Sequence, residues 1–227
     1  MRNAGKLGSF TADGSDSRVL LFENMMITSI GIEFEKQAHS EGFVSVAGLD
    51  EVGRGCLAGP VVAAACILNL EKPLPDGLND SKKLTVAKRD EIAAQLKADC
   101  IAYAVGQIEA DEIDRVNILE ATKMAMLLAI GSLKMPADFL LIDALQLKQC
   151  QLPQKAIIKG DSISASIAAA SILAKTYRDD LMKAYHLEYP EYGFYGHKGY
   201  GAASHFAALR KHGPCVLHRK SFRGVIV

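Results

Sequence analysis

Residues 44–68 of the chain read VSVAGLDEVGRGCLAGPVVAAACIL. Val, Ala, Ile and Leu dominate both ends of this stretch, and two acids with a cluster of glycines separate them. Apolar runs of this length that are bounded by turn residues are typical of buried strands. We therefore predict a first strand over 44–50 and a second strand over 61–68.

The two acids, Asp50 and Glu51, come at the end of the first predicted strand. Carboxylates are costly to remove from water, so a buried pair needs a countercharge, and the commonest one for clustered acids is a divalent cation. The glycines that follow expose backbone N–H groups, which suit phosphate or hydroxyl oxygens. Metal ligands beside an oxygen-binding loop indicate chemistry on phosphodiesters.

The rest of the pattern predicts an α/β fold with one mixed central β-sheet, because strands and helices follow one another along the chain. Further strands are predicted over 100–108, 139–143 and 155–159, and helices over 32–42, 82–99, 111–130, 163–186 and 203–212. We expect Asp161 or Ser162 to cap the longest of these helices, and Asp80 or Ser81 to cap the second. A glycine-rich loop is expected before the last helix.

Two more acids, Asp143 and Asp161, lie where a predicted strand ends and where a predicted helix begins. A sheet could gather them at the same edge as Asp50 and Glu51. Four carboxylates in one pocket would repel each other by roughly several kcal/mol unless two cations bind between them. In such a site one metal activates water and the other stabilises the leaving oxygen. In the alternative interpretation Asp143 is a turn residue and Asp161 an ordinary helix cap.

The composition suits one main domain, since 49% of the 227 residues are apolar. Lys and Arg (26) balance Asp and Glu (26), but the charges are unevenly distributed. No acid occurs in residues 192–227, which contain Lys198, Arg210, Lys211, Arg219, Lys220 and Arg223. We predict phosphate binding by this segment, with a solvated basic face as the alternative.

The five cysteines are widely spaced and lack any CxxC pair, so we expect neither a disulfide framework nor a zinc site. A reducing, cytoplasmic location fits this pattern best. No run of about 18 apolar residues occurs, so we expect no membrane-spanning helix.

Seven motifs together carry a resemblance to a known family. They are residues 48–65 (GLDEVGRGCLAGPVVAAA), 79–84 (NDSKKL), 113–118 (IDRVNI), 142–143 (ID), 159–161 (KGD), 168–179 (AAASILAKTYRD) and 197–222, which include HKGYG, GP and HRKSF. In this order and at this spacing they resemble bacterial ribonuclease HII, the type 2 ribonuclease H family, over residues 32–224. A set of seven ordered motifs is far more specific than any one of them.

The resemblance implies a ribonuclease H-like fold with a helical C-terminal segment. It also implies a catalytic, metal-binding tetrad of Asp50, Glu51, Asp143 and Asp161. The family hydrolyses the RNA strand of RNA/DNA hybrids and nicks DNA duplexes on the 5′ side of an embedded ribonucleotide, leaving a 3′-hydroxyl and a 5′-phosphate. Mg²⁺ or Mn²⁺ is the expected cofactor.

Further roles follow from the same resemblance. Gly53, Arg54 and Gly55 are similar to a loop whose main chain senses the 2′-hydroxyl, and Tyr200 is similar to the residue that packs on the deoxyribose 3′ to the ribonucleotide. Apart from the resemblance, Lys82 and Lys83 can reach a backbone phosphate near the cut, with a solvated helix end as the alternative. We predict a flexible extension over 1–28, a ribonuclease H-like catalytic domain over 29–190, and a basic segment over 191–227 that completes the substrate site.

Two positions depart from the family. Cys56 stands where proline is usual, which loosens the exit of the loop and could make it sensitive to oxidation. Ala144 stands where glycine commonly follows the third acid, so we expect a backbone there that suits alanine. Neither change removes an acid. We also expect Arg178 and Asp179 to form a buried support pair, and we assign no catalytic step to the histidines.

Other functions remain open at this point. A non-catalytic protein that binds RNA/DNA hybrids would be expected to lack an acid, and none is missing. A related phosphotransferase or exonuclease would leave the glycine loop and Tyr200 without a task. A monomer is expected because one chain holds a complete set of acids. The resemblance to the family makes a sliding-clamp partner possible, but no motif in residues 224–227 supports one.

Overall fold

A computed structural model describes residues 30–226, and the predicted extension over 1–28 lies outside the described residues. Five strands form one sheet in the order β3-β2-β1-β4-β5. The strands are β1 (Val46–Val52), β2 (Val61–Ile67), β3 (Ala102–Ile108), β4 (Phe139–Asp143) and β5 (Gln154–Ile157). β1 pairs antiparallel with β2, and β2 pairs antiparallel with β3, whereas β4 is parallel to both β1 and β5. The predicted mixed sheet is confirmed.

The helices surround this sheet. They are α1 (Glu33–Ser40), α2 (Val86–Asp99), α3 (Ala110–Val116), α4 (Ile118–Gly131), α5 (Ala165–Glu188), α6 (Phe194–His197) and α7 (Ala203–His212), with 3₁₀ turns at Ser81–Lys83, Gly160–Ser162 and Pro190–Tyr192. The expected glycine-rich loop before α7 therefore contains a 3₁₀ turn and a short helix. No helix within the described residues is long and apolar enough to cross a membrane.

The prediction of a single helix over 111–130 is wrong, because Asn117 interrupts the helix and divides it into α3 and α4. This residue has a φ of 73°, and its side chain accepts hydrogen bonds from the backbone N–H groups of Leu119 and Glu120. Asn tolerates the left-handed region better than most residues and is a strong N-cap. Asn117 therefore ends α3 and starts α4 in one step.

Two capping predictions also need correction. Ser164 caps α5, with its hydroxyl accepting from the backbone N–H of Ile167, because Asp161 and Ser162 belong to the 3₁₀ turn before it. Asp80 does cap, but it caps the 3₁₀ turn at Ser81–Lys83 by accepting from the N–H of Lys82. Thr85 caps α2 in its place, so that helix starts later than predicted.

Both faces of the sheet are buried. Along β2, Val61, Ala63 and Ala65 pack in the core that α4 covers, while Val62, Ala64 and Cys66 pack in the core that α5 and α2 cover. The alternation follows from the two-residue period of a strand. At Gly48 in β1, an added Cβ would lie 2.1 Å from the carbonyl carbon of Ser166, so glycine lets the α5 backbone approach the strand directly.

The C-terminal segment packs on the loop between β1 and β2. Ala58 in that loop shares a buried cluster with Met182 of α5, Phe194 of α6 and Leu217, and it forms an isolated β-bridge with His218. The basic segment is thereby attached to the loop that carries the glycine motif.

Candidate active site

Three of the four predicted acids lie at the same end of the neighbouring inner strands β1 and β4. β1 and β4 are parallel neighbours whose last paired residues are Leu49 and Ile142, so the next residues in each strand, Asp50 and Asp143, come side by side. Glu51 follows within β1, which continues past both acids and does not end at them as predicted.

The fourth acid, Asp161, comes from the 3₁₀ turn after β5, the other neighbour of β4. The turn is tied to the sheet because the N–H of Gly160 donates to Oδ1 of Asp143 at 2.8 Å. The parallel order of β1, β4 and β5 thus gathers carboxylates that are far apart in sequence.

Burial and mutual repulsion disfavour the ionised form of these carboxyl groups. Burial raises the pKa of Asp50 well above its usual range, and the nearby charges of Glu51 and Asp143 raise it further. Burial and Asp143 likewise raise the pKa of Glu51, and burial and Asp161 raise the pKa of Asp143. Asp143 is therefore electrostatically coupled to each of the other three acids, as expected for a cluster that lacks sufficient positive charge.

Two side chains supply part of the missing charge. Nζ of Lys82 lies 3.2 Å from Oδ2 of Asp161 and 3.8 Å from Oδ1 of Asp80. Nη1 of Arg54 lies 3.1 Å from Oε1 of Glu51. The other oxygen of Glu51, Oε2, is buried and has no hydrogen-bond partner among the residues that the structure describes.

The donor set fits a divalent cation in its chemistry, since hard cations prefer carboxylate oxygens and a buried, unpartnered oxygen of Glu51 is available. Within residues 30–226, however, no three Asp, Glu, His or Cys side chains converge closely enough to hold a metal ion as they stand. A bound cation would need the carboxylates to draw together.

The loop Gly53-Arg54-Gly55 leaves β1 directly beside these acids. Gly53 has a φ of +89°, and a Cβ there would lie 2.2 Å from Nε of Arg178. Both the backbone conformation and the close approach of Arg178 therefore require glycine at this position. Gly55 has open space around it, which leaves its backbone accessible to a ligand.

Tyr200 lines a cavity of about 290 Å³ together with Glu51, one of the four acids, and Lys82. Its side chain is partly exposed, and burial of the remainder raises the pKa of its hydroxyl. Lys83 is exposed on the same 3₁₀ turn as Lys82. The structure thus brings Lys82, Tyr200 and the glycine loop to the cluster of acids.

The two departures from the family have different structural consequences. Cys56 is fully buried and its N–H donates to the carbonyl of Gly53, a bond that proline could not make. Burial raises the pKa of its thiol, which keeps the sulfur protonated and weakly reactive. At Ala144 the prediction is wrong, because its φ of 50° lies in the left-handed region that favours glycine.

Arg178 and Asp179 are both buried, as predicted, but their side chains do not pair with each other. Successive helical residues point in different directions, so the two side chains face different neighbours. Asp179 pairs with Arg89 at 3.1 Å and with Lys175 at 2.6 Å, whereas Arg178 donates to backbone carbonyls.

The buried role of Arg219 was missed, because the sequence placed it among the basic residues available to phosphates. It is fully buried, while Arg210, Lys211, Lys220 and Arg223 are exposed. The local signal was weak, since a lone arginine in a basic segment gives no indication of burial. His205 and His218 are buried too and face each other, with 3.0 Å between their Nε2 atoms.

The fold and the positions of the acids place this chain in the class of ribonuclease H-like nucleases. Comparisons with known proteins identify the family within that class. The family model for ribonuclease HII matches residues 47–225. The chain is 57% identical over 191 residues to ribonuclease HII of Desulfitobacterium hafniense, covering 84% of this chain and 73% of that protein. It is 58% identical over 190 residues to ribonuclease HII of Chlamydia caviae, covering 83% and 89%.

Solved structures agree with this fold. The crystal structure of ribonuclease H2 from Pyrococcus horikoshii matches with a TM-score of 0.67 and 25% identity, covering 80% of this chain and 95% of that one. Ribonuclease HII in its complex with PCNA from Archaeoglobus fulgidus matches with a TM-score of 0.67 and 24% identity, covering 79% and 96%. The chain belongs to the ribonuclease HII family and is a nuclease of the ribonuclease H type.

Proposed function

We propose that this chain is a metal-dependent endoribonuclease that hydrolyses the RNA strand of RNA/DNA hybrids and nicks DNA duplexes 5′ to embedded ribonucleotides. The observation that carries the proposal is the position of the Gly53-Arg54-Gly55 loop and Tyr200 beside the cluster of four acids. A loop that can recognise a 2′-hydroxyl through its main chain thus adjoins groups suited to phosphodiester hydrolysis.

Asp50, Glu51, Asp143 and Asp161 are the residues that would hold Mg²⁺ or Mn²⁺ in a two-metal site. When bound, the cations supply an activated water and stabilise the leaving 3′ oxygen. The raised pKa values of Asp50, Glu51 and Asp143 support this assignment, because a cation is the charge that such a cluster lacks. The products would carry a 3′-hydroxyl and a 5′-phosphate.

The remaining residues would bind and orient the duplex. Backbone groups of the glycine loop would meet the 2′-hydroxyl and its adjoining phosphate, and Lys82 and Lys83 would contact a backbone phosphate near the cut. The ring of Tyr200 would pack on the deoxyribose 3′ to the ribonucleotide. Arg210, Lys211, Lys220 and Arg223 are exposed and would add sequence-independent phosphate contacts, which Arg219 cannot make from its buried position.

We expect a monomer acting in the cytoplasm. The alternative, a non-catalytic protein that binds hybrids through the same fold, is disfavoured because all four acids are present and electrostatically coupled. A sliding-clamp partner has no supporting motif in residues 224–227.

The test is cleavage of an end-labelled DNA duplex that carries one ribonucleotide, assayed with Mg²⁺, with Mn²⁺ and with EDTA. An all-DNA duplex and the Asp50→Asn variant serve as controls. A nick 5′ to the ribonucleotide that requires metal and Asp50 is the expected result. Binding of the duplex without any nick would overturn the proposal in favour of the non-catalytic alternative.

A further inference from the structure

Two fully buried arginines, Arg178 and Arg219, lie behind the glycine loop and touch no acid. Among residues 30–226 neither forms a salt bridge. Burying a guanidinium is costly unless its N–H groups are satisfied, and burial lowers the pKa of Arg219 to about 10. Each arginine instead directs three hydrogen bonds at backbone carbonyls.

Arg219 spans the loop. Its Nη1 donates to the carbonyl oxygen of Arg54 at 2.9 Å, within the Gly53-Arg54-Gly55 motif. Its Nε and Nη2 both donate to the carbonyl oxygen of Gly59, at 3.0 and 2.8 Å. One rigid guanidinium thereby fixes the separation between the motif and the residues through which the chain returns to β2.

Arg178 joins the same return segment to the segment that carries Tyr200. Its Nη2 and Nε donate to the carbonyls of Ala58 and Pro60, at 3.0 and 2.9 Å. Its Nη1 donates to the carbonyl of Lys198 at 2.9 Å, and its guanidinium carbon lies 6.0 Å from the centre of the Tyr200 ring.

Main-chain hydrogen bonds complete the connection. The N–H of Leu57 donates to the carbonyl of Gly199, and the N–H of Arg219 donates to the carbonyl of Leu57, both at 2.8 Å. A Cβ at Gly199 would lie 2.4 Å from the carbonyl oxygen of Ala58, so these backbones are in direct contact. The glycine loop and Tyr200 are therefore held as one unit by groups that substrate cannot reach.

We propose that Arg178 and Arg219 are positioning residues that set the distance between the glycine loop and Tyr200, and so set the preference for a ribonucleotide followed by DNA. This inference rests on the function proposed above, in which those two elements flank the ribonucleotide. The arginines act through the loop carbonyls and Tyr200, since neither is exposed.

A lysine cannot replace either arginine. Arg carries five N–H donors in a fixed planar fork, whereas Lys carries one ammonium on a flexible stem. Arg219→Lys therefore keeps the charge but cannot hold Arg54 and Gly59 simultaneously. Arg178→Lys likewise keeps the charge but cannot hold both the return segment and Lys198.

The experiment measures kcat/KM of each Lys variant on two substrates, a DNA duplex with one ribonucleotide and a continuous RNA/DNA hybrid. A lone ribonucleotide offers one register of contact with both the loop and Tyr200, whereas a hybrid offers many. We expect kcat/KM to fall at least tenfold on the lone ribonucleotide. On the hybrid the factor by which kcat/KM falls should be several-fold smaller. Amide hydrogen exchange should quicken over residues 54–59.

Ile67→Val provides the matched control, because Ile67 is buried and pairs with Ala47 at the end of β2 that is farthest from the loop. It should lower thermal stability while leaving the ratio of the two kcat/KM values unchanged. If Arg219→Lys fails to fold, Arg178→Lys tests the positioning role through the same ratio of kcat/KM values and the same hydrogen-exchange measurement.

The outcomes separate the two proposals. If wild-type protein does not nick the lone ribonucleotide, the proposed function fails. If wild-type protein nicks it but a folded Lys variant keeps the wild-type ratio, or loses both activities equally, the positioning role is overturned and only a structural role remains.

Discussion

Lys82 and Asp161 form an ion pair at the candidate metal site, with 3.2 Å between Nζ and Oδ2. The lysine comes from the 3₁₀ turn before α2 and the acid from the turn after β5, so the pair exists only in the folded chain. Its lysine side chain is 75% exposed, and exposed ion pairs contribute about 1 kcal/mol at most. The ammonium can therefore give way to a cation that binds the same carboxylate.

Replacement of Lys82 should accordingly strengthen metal binding. In Lys82→Met, the ammonium no longer competes with Mg²⁺ for the Asp161 carboxylate, which removes roughly 1 kcal/mol of competing interaction. We therefore expect the Mg²⁺ concentration that gives half of the thermal stabilisation to fall by up to about fivefold. KM for a duplex should rise through loss of the phosphate contact. The measurement is a melting series over Mg²⁺ concentration, with Lys83→Met as control. If this Mg²⁺ midpoint concentration stays the same or increases, Lys82 does not compete with Mg²⁺ for Asp161.

Asp50→Asn should abolish activity without unfolding the protein. Loss of one carboxylate from the proposed site should lower kcat by roughly three orders of magnitude or more. Because burial and Glu51 raise the pKa of Asp50, its charged form destabilises the metal-free fold at neutral pH. We therefore expect an unchanged or raised Tm without metal, together with a smaller Mg²⁺-dependent rise. A clear drop in Tm without metal would show that the carboxylate stabilises the fold.

Ala144→Gly should stabilise the protein. Ala144 has a φ of 50°, where an L side chain is strained by about 1 kcal/mol relative to glycine. Part of that gain is offset by the greater freedom of glycine in the unfolded chain. A rise of a few degrees in Tm is expected. The matched control is Ala137→Gly, in the segment before β4 and outside the residues with positive φ, which should lower Tm.

The buried histidines should make stability depend on pH. Burial and the neighbouring His205 lower the pKa of His218 to about 4, whereas an unfolded histidine titrates near 6.5. Between these values the unfolded chain binds more protons than the folded one, so His218 favours folding fully above about pH 6.5 and progressively less as pH falls toward 4.

Denaturant unfolding across this range tests the assignment. In His218→Gln, the free energy of unfolding should decline less steeply between pH 6.5 and 4 than in wild type, with a difference on the order of 2 kcal/mol. The exposed His212 provides the control, since His212→Gln should keep the wild-type slope. Equal slopes for wild type and His218→Gln would contradict a buried, neutral His218.

The sequence was sufficient for those features that arise from local pattern. Apolar runs predicted all five strands to within a few residues. The signal is strongest in β1, β2 and β4, because a strand that is buried on both faces needs consecutive apolar side chains. The positions of acids at or near the ends of predicted strands indicated which carboxylates could lie together at one end of the sheet. The ordered motifs identified the family, which the comparisons confirm.

Other features depended on residues distant in the chain. Ala144, which has a left-handed backbone, donates its N–H to the carbonyl of Ile157, and Ser164, which caps α5, also donates its hydroxyl to Glu35. The pairing of Lys82 with Asp161, and the direction of Arg178 and Arg219 toward backbone carbonyls, follow from contacts across 20 to 165 positions. A sequence states which groups need partners, but only the tertiary structure decides which partners come within reach, because burial and hydrogen-bond geometry are properties of the whole packed chain.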